Sequence, residues 1–295
     1  MTAVPPENIQ PRLARALADR GLVPSKAIWQ PLAGGRTNLS WRIEHSTVAQ
    51  VVKLYAPAGQ NLLFPNDPAQ EAAILHHLSG RNLAPEVIYA GEIAQRAVLI
   101  YPHLEGDLWQ SDTAQVARLL HRVHNHEVPG GLRQTPNGSA TLVRQTQRIL
   151  ENCHSPQAFE LAQMQPLGEV VPCARRALLH GDPVPGNIVV TPDGARLIDW
   201  QCPAEGDPCE DIALFLSPAM QMAYRGSALA ADEIEQFLHA YPETETAQRY
   251  LDLAPWYHWR MAAYCLWKHE QGHHQDYAFS QVESVYLVAQ KQFLA

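Results

Sequence analysis

The apolar residues change their spacing near residue 103, and that change limits the fold more than any other feature of the chain. Ahead of it they come in short runs broken by glycine, proline and polar turns, which is the spacing of strands. Strands are predicted over 28–32, 40–43, 48–55 (VAQVVKLY), 86–90 and 97–101 (AVLIY). Two helices join them: 8–20, where Leu13, Ala16 and Leu17 share a face and Gly21 supplies a stop, and 68–79, which carries Glu71. Residues 102–106 (PHLEG) read as a connector. Helical spacing then dominates, over 112–125 from the N-cap candidate Asp112, 140–152, 157–164, and from about 209 onward, closing with 247–270 and 276–294. Two short strands, 187–190 and 196–199, interrupt it. The expectation is an α+β chain, with a small antiparallel sheet over 1–103 and a mostly helical region over 104–295.

Composition removes several classes of function. With 295 residues, 46% apolar and 18% charged, the chain is in the range of folded globular proteins. A formal net charge of −8 argues against a nucleic-acid partner, which needs a basic face, while leaving room for a cationic substrate. The five cysteines, at 153, 173, 202, 209 and 265, are odd in number and lack C-x-x-C spacing, so neither a disulfide framework nor a zinc ribbon is expected. The polar, proline-bearing start does not read as a signal peptide, and no apolar run reaches the ~20 residues of a membrane span. The expectation is a cytoplasmic enzyme with no membrane partner.

The chemistry concentrates in His180-Gly181-Asp182-Pro183-Val184-Pro185-Gly186-Asn187, followed by Leu197-Ile198-Asp199-Trp200. Phosphoryl transfer from ATP needs a carboxylate near the acceptor hydroxyl and oxygen ligands for Mg²⁺ at the phosphates. Asp182 and Asn187 on one loop supply the first and part of the second, and Asp199 after the next strand completes the metal set. The Asp-to-Asn spacing agrees with the H-R-D-x-x-x-x-N loop of protein kinases. Taken singly these residues could equally be turn formers; it is their joint order that points to a site.

His-Gly-Asp-x-x-x-x-Asn, then Ile198-Asp199-Trp200, Gly206-Asp207-Pro208 and Asp211-Ile212-Ala213, resembles the aminoglycoside phosphotransferase and choline kinase superfamily. The resemblance spans roughly residues 28–270. It implies a protein-kinase-like two-lobed fold, a small antiparallel-sheet N-lobe and a mostly helical C-lobe with ATP in the cleft. It implies that Asp182 is the catalytic base, that Asn187 and Asp199 bind Mg²⁺, that His180 supports the loop, and that Asp211 opens a helix and steadies it. Ala33-Gly34-Gly35-Arg36-Thr37-Asn38-Leu39-Ser40 resembles the family's nucleotide loop, which makes Gly34, Gly35, Thr37 and Asn38 candidates for ATP contact. Lys53 matches the strand lysine on the α- and β-phosphates, Glu71 its helix partner, and Tyr101 to His103 the hinge that takes adenine through its backbone. There is no P-loop.

Two departures from protein kinases favour a small-molecule hydroxyl acceptor. Val184 stands where they carry lysine, and the stretch from Asp199 to Asp211 is too short for a regulated activation loop. Trp256 and Trp267, with Glu205, Asp207 and Glu270 adding charge, are candidates for an aromatic cage around a cation; the alternative is core packing with Trp259 and Tyr264. That leans the acceptor toward an amino alcohol of the choline, ethanolamine or thiamine kind, with aminoglycosides and other small metabolites as alternatives. A catalytically silent nucleotide-binding protein is the reading from another class. His269-Glu270-Gln271-Gly272-His273 matches the H-E-x-x-H of zinc hydrolases, but Gly272 weakens the helix and no third ligand is evident. His121, His124 and His126 are read as structural rather than metal-binding.

Overall fold

The computed structural model describes residues 9–32, 37–46, 48–57, 59 and 61–293. The chain divides into two compact units, one made of Met1–Asn61 and Pro65–Glu105, the other of Leu62–Phe64 and Gly106–Ala295.

The first unit begins with α1 (Ile9–Asp19), followed by β1 (Ile28–Pro31), β2 (Leu39–His45), β3 (Val48–Leu54), α2 (Pro68–His77), β4 (Tyr89–Ile93) and β5 (Arg96–Pro102). The strands form one sheet in the order β1-β2-β3-β5-β4, antiparallel at every pairing. Alternation along β2 buries Trp41 and Ile43, which meet Val52, Val98 and Ile100 from the sheet and Leu13 and Leu17 from α1. Asp67 caps α2, accepting from the backbone of Ala69 and Gln70 at 3.0 and 3.1 Å, and Pro68 follows at the first helical position. The strand expected at 86–90 starts later, at Tyr89. Glu86 is occupied in closing the preceding turn, accepting from Gly80 N at 2.7 Å.

The second unit contains β6 (Asp107–Leu108), α3 (Thr113–His124), β7 (Arg133–Gln134), α4 (Ser139–Leu150), α5 (Pro156–Gln163), β8 (Ala177–Leu179), β9 (Ile188–Thr191), β10 (Gly194–Leu197) and β11 (Ala204–Gly206). Helices α6 (Cys209–Leu216), α7 (Pro218–Tyr224), α8 (Ala231–Ala240), α9 (Thr244–Glu270) and α10 (Asp276–Phe293) complete it. Two three-stranded sheets, β10-β9-β6 and β7-β11-β8, carry the loops that matter below. The strand expected over 196–199 ends at Leu197, because Asp199 takes φ = 60°, a left-handed value that stops a strand. Among the described residues, no helix is long and apolar enough to cross a membrane.

Helix α9 is the axis of this unit. Nearly every residue from Leu253 to Trp267 is buried, so it shows no single apolar stripe and packs on several sides at once. Trp256 and Trp267, expected as cage walls, are only 4% and 7% exposed. Trp267 belongs to the apolar cluster of Leu63, Trp259, Leu266 and Leu287. They pack the core because α9 has no open face for them to stand on, and the cage reading is corrected accordingly.

A buried ion pair fastens α9 to α6: Arg260 Nη1 and Nη2 donate to the two oxygens of Glu210 at 2.8 and 2.7 Å. Removing one partner of such a pair strands a charge in the core and typically costs about 3–5 kcal/mol. Arg260→Met is therefore expected to lower unfolding free energy in urea by about that amount. The double variant Arg260→Met/Glu210→Leu should regain most of it; a single variant as stable as wild type would show that the pair is not a fastening.

Candidate active site

The segment His180–Asn187 leaves β8 and enters β9 through a single 3-10 turn, Pro185–Asn187. Its backbone is fixed from α6. Asp211, fully buried in the first turn of that helix, accepts from His180 N and Gly181 N, both at 2.8 Å. Its second oxygen also takes Nε2 of His124 at 3.2 Å, and Nδ1 of His124 meets the Tyr241 hydroxyl at 2.8 Å. A carboxylate only accepts, so Nε2 of His124 carries a proton and donates to it. Burial pushes the Asp211 pKa up, but the hydrogen bond and charge of His124 and the Gly181 N–H outweigh it and hold the carboxyl below its ordinary value of 3.8.

His180 stands beneath the loop with its ring edge-on to Trp200 at 4.6 Å. Its Nε2 donates to the Ile198 carbonyl at 3.0 Å, and its Nδ1 accepts from the Asp182 amide at 3.2 Å. That pattern requires the neutral ring. Burial lowers its pKa, against smaller upward pulls from Asp211, the Ile198 carbonyl and Asp199. One imidazole thus ties the backbone of Asp182 to the strand end that precedes Asp199.

Asn187 turns its Nδ2 toward Asp182, donating to the backbone oxygen at 2.9 Å and to the carboxylate at 3.3 Å. Both are acceptors, so the amide orientation is determined and Oδ1 points away from them. The Asn187 backbone oxygen accepts from Ile198 N at 2.9 Å, which brings the Asp199 segment alongside. Asp199 itself holds φ = 60°, a region that Asp tolerates better than most residues and that clusters at functional sites. The second unit therefore gathers Asp182, Asn187, His180 and Asp211 within one bonded network, and Asp199 directly follows Ile198, which that network holds.

In the first unit, Lys53 on β3 and Glu71 on α2 form a buried pair at 2.6 Å. Tyr55 adds its hydroxyl to the same Glu71 oxygen at 2.6 Å, and its ring lies 4.8 Å from Lys53 Nζ. Sequence reasoning missed Tyr55; its place two residues after Lys53, on the same side of an extended chain, is the signal that could have found it. It also missed Tyr241, for which no local signal exists.

Other expected site residues carry structural bonds. Asn38 braces the sheet edge: it accepts from Ala56 N at 2.9 Å and exchanges amide bonds with Asn66 at 2.9 and 2.8 Å. The His103 amide donates to Ala49 at 2.9 Å as the last rung of the β3–β5 ladder, so it is not the donor for adenine. Tyr101 lies within β5, opposite Val51. Asp207 is buried against Arg249 at 2.8 Å and accepts from Cys209 N at 3.1 Å, which makes it an ion-paired helix start rather than an acceptor contact. Glu205 sits half-buried on β11, with one oxygen taken by Gln134 at 2.8 Å. Gly34 and Gly35 fall outside the described residues; Thr37 is exposed.

Neither histidine grouping converges. His121 pairs with Glu243 and His124 with Asp211, while His126 contacts the backbone of its own neighbour. Helix α9 ends at Glu270, and Gly272 has φ = 93°, so His269 and His273 do not share a helical face. Glu270 caps the start of α5 through His154 N and Ser155 N at 2.7 and 3.0 Å.

The model of the APH family, the phosphotransferase enzyme family, matches residues 28–251. The chain belongs to that family. Its structure is similar to choline kinase from Cryptosporidium parvum Iowa II (13% identity, 93% of this chain and 92% of that one, TM-score 0.65). It is similar also to a choline/ethanolamine kinase family protein from Mesorhizobium loti (16%, 95% and 93%, TM-score 0.64). Aminoglycoside phosphotransferase APH(4)-Ia matches as well (13%, 95% and 99%, TM-score 0.67). A comparison with curated proteins finds no match. The fold is the kinase-like α+β fold, and the phosphotransferase is a small-molecule kinase.

The depressed pKa of Asp211 gives a testable pH dependence. A carboxyl held below its unfolded value stabilises the fold above pH 3.8 and loses that contribution as pH falls through the folded value. Asp211→Asn should therefore melt well below wild type near neutral pH, with the gap closing only under pH 3.8. Thermal melts from about pH 7 to 3 check this; a gap that stays constant over the range would remove the carboxylate charge from the account.

Proposed function

We propose that this kinase transfers the γ-phosphoryl group of Mg-ATP to the hydroxyl of an amine-bearing small alcohol, with an amino alcohol of the choline or ethanolamine kind as first choice. The observation that carries the phosphotransfer site is the clamped loop, in which Asp182 and Asn187 are bonded to each other and held from behind by Asp211 and His180. Asp182 orients the acceptor hydroxyl and takes its proton. Lys53, kept in place by Glu71 and Tyr55, contacts the α- and β-phosphates. Most of the rate gain in such a site comes from positioning and fixed charge.

Magnesium fits the donors present. It takes hard oxygen ligands, and Asn187 keeps Oδ1 without a protein partner among the described residues, because its nitrogen faces Asp182. Asp199 supplies a carboxylate. Held by Asn187 and Asp199, the ion would supply positive charge against the phosphate oxygens of ATP.

The acceptor class rests on two supports. Similar structures include kinases of choline and ethanolamine, and the net charge of −8 suits a cationic substrate. An aminoglycoside is the second reading, favoured by the match to APH(4)-Ia over 99% of its length.

ADP release from Mg-ATP, measured over choline, ethanolamine, thiamine, homoserine, simple sugars and several aminoglycosides, tests both levels. Amine-bearing alcohols should give the signal. Turnover on a neutral sugar alone would overturn the acceptor class. Asp182→Asn should lose about 10²–10⁴-fold in turnover with nucleotide affinity retained; near-normal turnover in that variant would remove Asp182 from the base role. Lys53→Met should instead weaken nucleotide binding, read by titration with a fluorescent ATP analogue.

A further inference from the structure

We propose that Arg133 is a positioning residue for the catalytic loop, an inference that rests on the phosphotransfer reading of Asp182 and Asp199. Arg133 opens β7, which pairs parallel with β11 and places Arg133 opposite Ala204. Its Nη2 donates to the Cys202 carbonyl at 3.0 Å. A Cβ built on Gly181 would lie 2.1 Å from that same oxygen and 3.0 Å from Arg133 Nη2. The Gly181 backbone, at φ = 79°, is thus seated directly on the guanidinium–carbonyl junction, and only glycine fits there.

Gly181 is therefore gripped from two directions. Asp211 holds its N–H, while Arg133 and Cys202 fill the space where a side chain would stand. The residue after Gly181 is Asp182, and Cys202 follows Asp199 closely in the chain, so the junction sets the spacing of the two segments that carry those carboxylates. No ion pair accounts for the arginine: it bonds no acidic side chain among the described residues, and its Nε is buried without a partner. A planar, always-charged fork giving a charge-assisted bond to a carbonyl is a stiff spacer, and lysine would be a poorer one.

The test compares Arg133→Met, Arg133→Lys and, as a control on the same sheet, Arg176→Met. Arg176 donates to the Glu205 backbone at 3.0 Å and to the Gln134 side chain, and makes no hydrogen bond to Gly181 or Cys202 among the described residues. Two readouts are taken on the full chain: hydrogen exchange of residues 180–187 by mass spectrometry, and steady-state ADP release with the best acceptor of the panel. Arg133→Met should speed exchange in 180–187 while α3 and α9 stay protected. Turnover should fall about 10–100-fold, the cost of a small misplacement of catalytic groups, with KM for ATP within about twofold. Arg133→Lys should recover part of the turnover. Unchanged exchange in 180–187, unchanged turnover, or the same changes in Arg176→Met would each overturn the proposal. If the wild type gives no turnover with any acceptor, the acceptor reading fails, and the exchange measurement still decides the role of Arg133.

Discussion

The Asp211 carboxylate is the point on which the second unit turns. It is fully buried, and a buried carboxylate is tolerated only when its lone pairs are met by donors. Here the donors are the consecutive backbone amides of His180 and Gly181 and one imidazole. The geometry of the loop is thus a by-product of satisfying a charge that sits in a helix. Shifting α6 would move the loop with it, and this makes the helix part of the site although no side chain on it reaches a substrate in the proposed chemistry.

Direction of hydrogen bonding does as much as distance. His180 is held in one tautomer, with Nε2 donating and Nδ1 accepting, because it faces a carbonyl that can only accept on one side and an amide that can only donate on the other. That ring needs no charge to complete its bonds. Asn187 is oriented by the same logic, since two acceptors on Asp182 decide where its nitrogen goes. A site assembled from such one-way contacts has few alternative arrangements of equal energy, which is the condition for preorganised electrostatics.

What the sequence made legible was the order and spacing of short-range features. The Asp182-to-Asn187 interval, Asp199 beyond the next strand, and the Lys53–Glu71 pairing were all readable, because each rests on a local motif or on the period of one element. The elements that escaped are those without a period: β6, β7, β8 and β11 have two or three residues each, and only their partners make them strands. The bracing bonds of Asn38 were not readable either, because they depend on Asn66, far along the chain. Trp256 and Trp267 misled for a different reason. A helix buried on nearly all sides carries no polar face, so nothing in its sequence separates an aromatic that lines a site from one that fills a core.

Residues Leu62–Phe64 belong to the second unit although the chain on both sides of them belongs to the first. Leu63 is buried there, and the Phe64 ring meets Tyr264 edge-on at 5.1 Å. During synthesis this apolar triplet leaves the ribosome about two hundred positions ahead of the helix that will cover it. The sheet around the triplet needs residues only as far as Pro102, whereas the cover of the triplet itself needs α9, so the two units complete their cores at different points along the chain.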